Sequence, residues 1–149
     1  MKLSSAIGGG IAGAVALTLI HETVRRLSPD APRMDLLGME AIAKTLDSVD
    51  AGIPEEDKLF KITMAGDVLS NSLYYSLAGF GNERQAILRG ALLGFAAGIG
   101  AVYLPKLLGL NTAPANRTLQ TGVMTVALYS IGGLVAGAAG KLIENKNHL

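Results

Sequence analysis

Long runs of apolar and small residues, separated by short charged segments, dominate the pattern of this chain. Four runs stand out: 19 residues between Lys2 and Glu22, 21 between Lys61 and Glu83, 16 between Arg89 and Lys106, and 23 between Arg117 and Lys141. Only the second run contains a charged residue, Asp67. Because a helix rises about 1.5 Å per residue, about 20 apolar residues cross a hydrocarbon core of roughly 30 Å. The pattern therefore predicts an all-α, polytopic integral membrane protein.

The charged boundaries predict four transmembrane helices in a single domain that covers residues 1–149. The expected spans are about 4–24, 58–80, 84–104 and 118–141. The first loop contains a further helical pattern at about 34–50, with apolar residues on one face and charged residues on the other. This segment is too short and too charged to cross a bilayer, so it predicts an amphipathic helix at the interface or over the ends of the spans. A plain surface helix on a small extramembrane cap is the alternative. Pro105 is expected to end the third span, and the polar tail after the fourth span is expected to fray.

Glycine is unusually frequent, and its positions indicate how the helices pack. Of 19 glycines, 16 lie in the four runs, where a helix in water would lose roughly 1 kcal/mol for each. In a membrane, small residues let helix backbones approach closely. Several glycines recur at intervals of four residues, which places bare backbone along one stripe of a helix: Gly9, Gly13, Gly90, Gly94, Gly98, Gly133 and Gly137. The stripes favour close packing inside the bundle, and a dimerisation face or a backbone-lined pore is the alternative.

Charge and cysteine content narrow the function classes. The net charge is +1 with no basic run, which argues against a nucleic-acid partner. The chain contains no cysteine, which excludes disulfides, thiol catalysis and cysteine-ligated metal sites. Eight of the 13 Lys and Arg residues belong to the first and third loops, so the positive-inside rule places these loops in the cytoplasm and the termini outside. We expect the inner (plasma) membrane of a bacterium as the location.

Asp67 is the most informative single residue, because a carboxylate inside a span is costly and usually faces a partner or a wet cavity. Asn71 and Tyr74 follow it at helical spacing on the same face. An antiparallel neighbour brings the end of the first span to the same depth, and the fourth span begins there. The predicted intramembrane polar cluster therefore comprises His21, Glu22, Arg25, Asp67, Asn71, Tyr74 and Gln120.

Two interpretations of this cluster compete. In the first, it binds a small solute or a proton, with His21, Glu22 and Asp67 as titratable members. In the second, it is a set of buried ion pairs that hold the helices in register, such as Asp67 with Arg25 and Glu22 with Arg26. The dipeptide His21-Glu22 opens like the zinc-protease motif H-E-x-x-H, but Arg25 stands where the second histidine is required. The sequence therefore predicts no metal site, no cofactor and no catalytic residue.

Three functions are compatible with these observations. The first is a small non-enzymatic membrane bundle, assembled as a homo-oligomer, that binds or conducts a small solute or ion. The second is a membrane enzyme that acts on a lipid or quinone headgroup through His21, Glu22 and Asp67. The third is an accessory subunit whose glycine faces dock onto a larger membrane partner. The lipid bilayer is a partner in all three.

Overall fold

The structure, a computed structural model, describes residues 1–146 and is all-helical over that range, without a strand. The tail 147–149 lies outside the described residues. Short 3-10 turns at Leu77–Gly79 and Glu83–Gln85 connect the third and fourth helices. The helices are α1 (Leu3–Leu27), α2 (Met34–Ser48), α3 (Glu56–Ser76), α4 (Ala86–Leu107), α5 (Ala113–Asn116) and α6 (Leu119–Lys146). The predicted all-α class is confirmed, and each predicted helix lies within a few residues of its expected position.

Three of these helices are long and apolar enough to cross a membrane. They are α1, α6, and the segment Glu83–Leu107, which joins α4 to the turn before it. The helix α3 is of similar length, but it carries several charged residues in its first half and Ser, Asn and Tyr residues in its second. Its composition is therefore much more polar than that of the other three long helices.

The helix α6 packs against both α1 and α4, and α3 packs mainly against α1 while also touching α6 and α4. The four long helices alternate in direction. Glycines allow the contacts: a Cβ atom on Gly9 would lie 2.9 Å from Cα of Gly140 on α6. Likewise, a Cβ atom on Gly94 of α4 would lie 2.8 Å from Cα of Ser130. Both distances are shorter than side chains tolerate, so these crossings require glycine.

The glycine stripes predicted from the sequence all lie on buried faces of these contacts. Gly13 faces Ala136, Gly98 faces Val126, and Gly90 faces Gly133 and Gly137 across the α4–α6 contact. In this fold these glycines therefore lie against neighbouring helices of the same chain.

The interior is rich in small and polar side chains beside a small apolar cluster of Leu17, Tyr75 and Leu128, whereas many of the large apolar side chains point outward. Buried polar residues include Ser5, Thr63, Asn71, Ser72, Ser76, Thr121 and Thr125. The outward apolar residues form rows on each long helix, for example Leu3, Ile7, Ile11, Val15 and Leu19 on α1. Exposed apolar surface this continuous is typical of a protein whose solvent is lipid.

The helix α2 packs over the loop-side ends of the long helices and joins the first loop to the third. The backbone N–H of Arg33 donates to the carbonyl of Pro114 at 2.7 Å. The Glu40 carboxylate accepts from the backbone N–H of Asn111 at 3.0 Å, and the Lys44 ammonium donates to the carbonyl of Gly109. The ammonium of Lys44 and the N–H of Asn111 together lower the pKa of Glu40. The helix α2 is therefore tied to the bundle at several points.

Two helix ends differ from the sequence prediction. Pro105 does not end α4, which continues to Leu107, because a proline this near the C-terminus removes only one of the last hydrogen bonds. The fraying predicted after the fourth span is absent up to Lys146, because α6 extends to that residue and buries Glu144. The Glu144 carboxylate accepts from the backbone N–H of Lys2 at 2.8 Å, which places a negative charge at the N-terminus of α1.

Candidate functional site

The ends of α1, α3 and α6 enclose a small cavity beneath α2. Its volume of about 20 Å³ is enough for one water molecule. The wall contains both titratable side chains and hydroxyls together with apolar groups: Leu17, Thr18, His21, Pro32, Met34, Asp35, Thr63, Met64, Asp67, Thr125, Leu128 and Tyr129. Of the predicted cluster, the wall contains His21 and Asp67.

Asp67 and His21 face this cavity from α3 and α1. One carboxylate oxygen of Asp67 accepts from the Asn71 amide at 3.0 Å, one turn along the same helix. His21 is buried, and its Nε2–H donates to the carbonyl of Pro32 at 2.8 Å. This bond holds the imidazole ring against the turn that follows α1.

Two hydroxyls of the cavity wall are buried without a partner. Within residues 1–146, Oγ1 of Thr18 and Oγ1 of Thr63 accept or donate no hydrogen bond. The third wall threonine is different, because Thr125 donates to the carbonyl of Ala115 at 2.8 Å. A buried hydroxyl left unpaired is destabilising. A hydrogen-bonding occupant of the cavity would satisfy the Thr18 and Thr63 hydroxyls together with the Asp67 carboxylate.

Arg25 lies beside the cavity and pairs with two acids, neither of which is Asp67. Its guanidinium binds Glu22 on the same helix and, at 3.4 Å, the carboxylate of Asp35 on α2. Among the described residues Asp67 has no ion pair at all. The predicted Asp67–Arg25 and Glu22–Arg26 pairs are therefore wrong, because Glu22 reaches Arg25 and the N-terminus of α2 brings Asp35 against the same guanidinium.

Asp35 is the centre of this ionic network. Arg33 donates to it from Nε at 2.9 Å and from a terminal nitrogen at 2.7 Å. Burial alone would raise the pKa of Asp35, but hydrogen bonds from Arg33 and the charges of Arg33 and Arg25 outweigh it and lower that pKa. Hydrogen bonding to Asp35 in turn raises the pKa of Arg33. The network links the end of α1 to the start of α2 and covers the cavity on the loop side.

The remaining predicted site residues lie in three places. Asn71 is buried beside Asp67. The Tyr74 hydroxyl donates to the carbonyl of Leu93 on α4 at 3.0 Å, so Tyr74 bridges α3 and α4 rather than lining the cavity. Gln120 is exposed at the start of α6 and does not join the cluster, since its neighbour Thr121 holds the inward position. A helix turns about 100° per residue, which separates these two side chains.

Sequence reasoning missed Asp35 and Thr63 as members of the site. Asp35 lies in the segment predicted as an amphipathic helix, and an acid in a first helical turn two residues after Arg33 is a signal for a local ion pair. Thr63 carries no comparable signal, because a threonine in a helix is as often a packing residue. Only the approach of α3 to α1 identifies it as part of the cavity wall.

No group of three or more His, Asp or Glu residues in the described part of the chain is arranged to hold a metal ion.

The chain matches no protein-family model, and searches of curated proteins and of solved structures found no similar protein. The site must therefore be interpreted from its own chemistry. That chemistry is the Asp67 carboxylate, the ion-paired Asp35 carboxylate, one imidazole and two unpaired hydroxyls around a space of one water molecule.

Proposed function

We propose that this protein is a small non-enzymatic integral membrane protein whose helices hold a binding site for a water-sized cation near one membrane face. The observation that carries the proposal is the cavity of about 20 Å³ shared by Asp67, His21 and the unpaired hydroxyls of Thr18 and Thr63. A carboxylate and hydroxyl oxygens are ligands for a hydrated proton or for a small monovalent ion. Both occupants share the same chemistry, positive charge and a size near that of water.

The proposal includes α3 as a fourth membrane span. With 21 residues, α3 is about 32 Å long at helical rise, close to the thickness of the hydrocarbon core. Its polar residues Thr63, Asn71 and Ser72 face inward, while Leu69 and Leu73 are 63% and 65% exposed on its outer face. Apart from Ser70 and the charged first turns of α3, which would lie at the interface, this distribution fits lipid surroundings, since polar groups inside a span face the bundle interior. We place α2 at the interface, where it covers the site.

The geometry favours binding over the alternative of an enzyme acting on a lipid or quinone headgroup. That alternative requires His21, Glu22 and Asp67 to converge on one substrate. Glu22 instead pairs with Arg25, and Nε2 of His21 is occupied by the carbonyl of Pro32. The cavity is also too small for a headgroup. Of the three proposed roles, binding of a small ion needs the least rearrangement of the side chains around the cavity.

The location and the assembly state are also part of the proposal. We place the protein in a bacterial inner membrane with the first and third loops in the cytoplasm, on the distribution of Lys and Arg. A homo-oligomer or a larger membrane partner would contact the outer apolar rows, because the glycine stripes are used inside the chain. Mass measurement of the protein in nanodiscs tests whether copies associate.

Infrared spectroscopy of the Asp67 carboxyl group tests the proposed ion site. The wild-type minus Asp67→Asn spectrum of protein in nanodiscs isolates this group, and it is recorded against pH at low Na⁺ and then against Na⁺ at constant pH. We expect the carboxyl signal to change reversibly with one of the two titrations, which distinguishes a proton from Na⁺. Groups that face Asp67 from other helices are His21, Asp35 and Tyr129, so His21→Gln should displace the titration without abolishing it.

A matched variant controls for general effects of removing an acid. Asp57→Asn changes an exposed carboxylate on the same helix, paired with Lys61, and should leave the Asp67 signal unchanged. If the Asp67 signal responds to neither pH nor Na⁺ in a folded protein, the cavity does not exchange ions and the proposed function is wrong.

A further inference from the structure

A second, larger space lies on the other side of Asp67. Helices α3 and α4 contact each other sparsely, and the gap between them forms a groove of about 460 Å³ that opens on the outer surface of the bundle. This volume is in the range of small-molecule sites in proteins. One wall consists of small side chains on α4, and the others of apolar residues from α2 and the end of α4: Ala96, Ala97, Gly100, Ala101, Leu104, Leu37, Ala41 and Leu108.

The polar groups of this groove lie at its inner edge. They belong to Asp67, Tyr74 and Tyr129. The Tyr74 hydroxyl already donates to the carbonyl of Leu93, whereas Asp67 has no cationic partner within residues 1–146. Asp67, Met34 and Tyr129 line both the groove and the enclosed cavity, so Asp67 separates the two spaces. The groove is therefore an apolar surface with one carboxylate at its inner edge.

We infer that the groove between α3 and α4 binds a lipophilic monocation, with the Asp67 carboxylate as its counter-ion. Charge complementarity selects this occupant. An organic cation with an apolar exterior fills the apolar walls and supplies the charge that Asp67 lacks, whereas an anion of the same shape is repelled by it. A neutral lipid chain would fill the walls but would supply no counter-charge to the carboxylate, whose hydrogen-bond partner is the neutral Asn71 amide.

This inference deepens the proposed function and rests on it, because the same carboxylate serves the enclosed cavity. A cation in the groove and a small ion in the cavity would both neutralise Asp67. Coulomb repulsion between two cations at one carboxylate makes simultaneous binding unfavourable. The two sites are therefore expected to compete, as in an exchange of one cation for the other.

Equilibrium dialysis with tetraphenylphosphonium tests the groove, with the protein in nanodiscs and empty nanodiscs as the blank. Tetraphenylborate, an anion of matched shape, controls for partition into lipid. We expect saturable binding of the cation and none of the anion. Asp67→Asn should weaken cation binding about tenfold or more, which corresponds to the loss of about 1.4 kcal/mol. The asparagine can still accept the hydrogen bond from Asn71, so the fold should survive.

Two pairs of variants separate the site from general effects. Ala97→Phe fills the groove from α4 and should abolish binding, whereas Ala127→Phe adds the same side chain to an exposed position of α6 outside the groove. Asp57→Asn is the matched control for Asp67→Asn. Thermal unfolding of each variant identifies any that fail to fold, and an Asp67→Asn variant that does not fold leaves the Ala97→Phe pair to decide.

The outcomes separate this inference from the proposed function. The absence of saturable tetraphenylphosphonium binding to folded wild-type protein overturns the inference, and so does equal binding by wild-type protein and folded Asp67→Asn. If the Asp67 infrared signal still responds to pH or Na⁺ in that case, the ion site stands without the groove ligand. If neither assay responds, both proposals are wrong.

Discussion

At the scale of single residues, Arg25 and Asp67 have separate roles despite being placed at a similar depth. Arg25 belongs to the network with Glu22 and Asp35 that joins α1 to α2. Asp67 accepts a hydrogen bond from Asn71 and faces the cavity. Removing one partner of a half-buried ionic network leaves the other charge uncompensated, which costs more than removing both.

Double-variant cycles should show this separation. We expect Arg25→Ala and Asp35→Ala to be coupled by about 1 kcal/mol or more in the free energy of unfolding, because the two side chains form a direct ion pair. The cycle of Arg25→Ala with Asp67→Ala should be additive within about 0.5 kcal/mol, as for residues without a shared partner. Unfolding in a mild detergent by titration with a denaturing one measures both. Strong coupling of Arg25 to Asp67 would contradict the ion pairing described here.

The Asp35 network should also make stability depend on pH. The folded-state pKa of Asp35 lies below its unfolded value of about 3.9. Its contribution is therefore fully present above the unfolded pKa and is lost as pH falls through the folded pKa. We expect Asp35→Asn to be less stable than wild type at neutral pH, by about 2 kcal/mol, with the difference shrinking below about pH 4. Melting temperatures across pH measure this, and a difference that grows on acidification would refute the sign.

At the scale of helices, α6 approaches α1 and α4 backbone to backbone at several glycines. The α4–α6 crossing places Gly94 against Tyr129 and Ser130, and Gly133 against Gly90. Each added methyl group at such a position would force two backbones apart. Dispersion over close backbones then replaces the large apolar core of a water-soluble protein, since the hydrophobic effect does not drive helices together in lipid.

In α4, enlarging a glycine should therefore cost more stability than truncating a leucine. This order is the reverse of the one expected in the core of a water-soluble protein. We expect Gly94→Leu to destabilise the bundle by more than about 2 kcal/mol, and Leu93→Ala to cost less. Gly66→Ala is the matched control, because a Cβ atom there has open space and alanine favours the helix by up to about 1 kcal/mol. Melting temperatures in one detergent provide the ranking, and a Gly94→Leu variant as stable as wild type would remove the close-packing argument.

At the scale of the whole molecule, the main question is whether α3 crosses the membrane. The alternating directions of α1, α3, α4 and α6 bring the α3–α4 turn to the chain terminus, where the N-terminal ammonium donates to the carbonyl of Gly81 at 3.2 Å. The loops after α1 and after α4 lie together at the opposite end, joined through Arg33 and Pro114. Four spans require that these two ends lie on opposite sides of a bilayer.

Cysteine labelling tests this arrangement directly, because the natural chain has no cysteine. Single cysteine replacements at the exposed positions Ser48, Asn82 and Asn111 should each react with a membrane-impermeant reagent from one side of the membrane only. We expect Ser48→Cys and Asn111→Cys to react from one side and Asn82→Cys from the other. Reaction of positions 48 and 82 from the same side would mean that α3 does not span. Inside-out vesicles and intact cells provide the two orientations.

The sequence by itself determined the all-helical class and the approximate ends of the long helices, because charge spacing and proline positions act locally along the chain. It also predicted four spans, of which α1, α4 and α6 are apolar enough to cross a membrane, and it singled out Asp67 as an acid within a helical run. Glycine frequency predicted close packing, but not which pairs of helices would meet.

Only the tertiary structure decided which side chains share the site. Asp35 rather than Asp67 pairs with Arg25, Thr63 joins the cavity wall, and Gln120 turns away from it. Each of these outcomes depends on how one helix is rotated and placed against another, and a rotation of 100° separates neighbours such as Gln120 and Thr121. Small residues on several faces allow more than one rotation of each helix. The contacts among all of the helices, including the position of α2 over the loop-side end, select one.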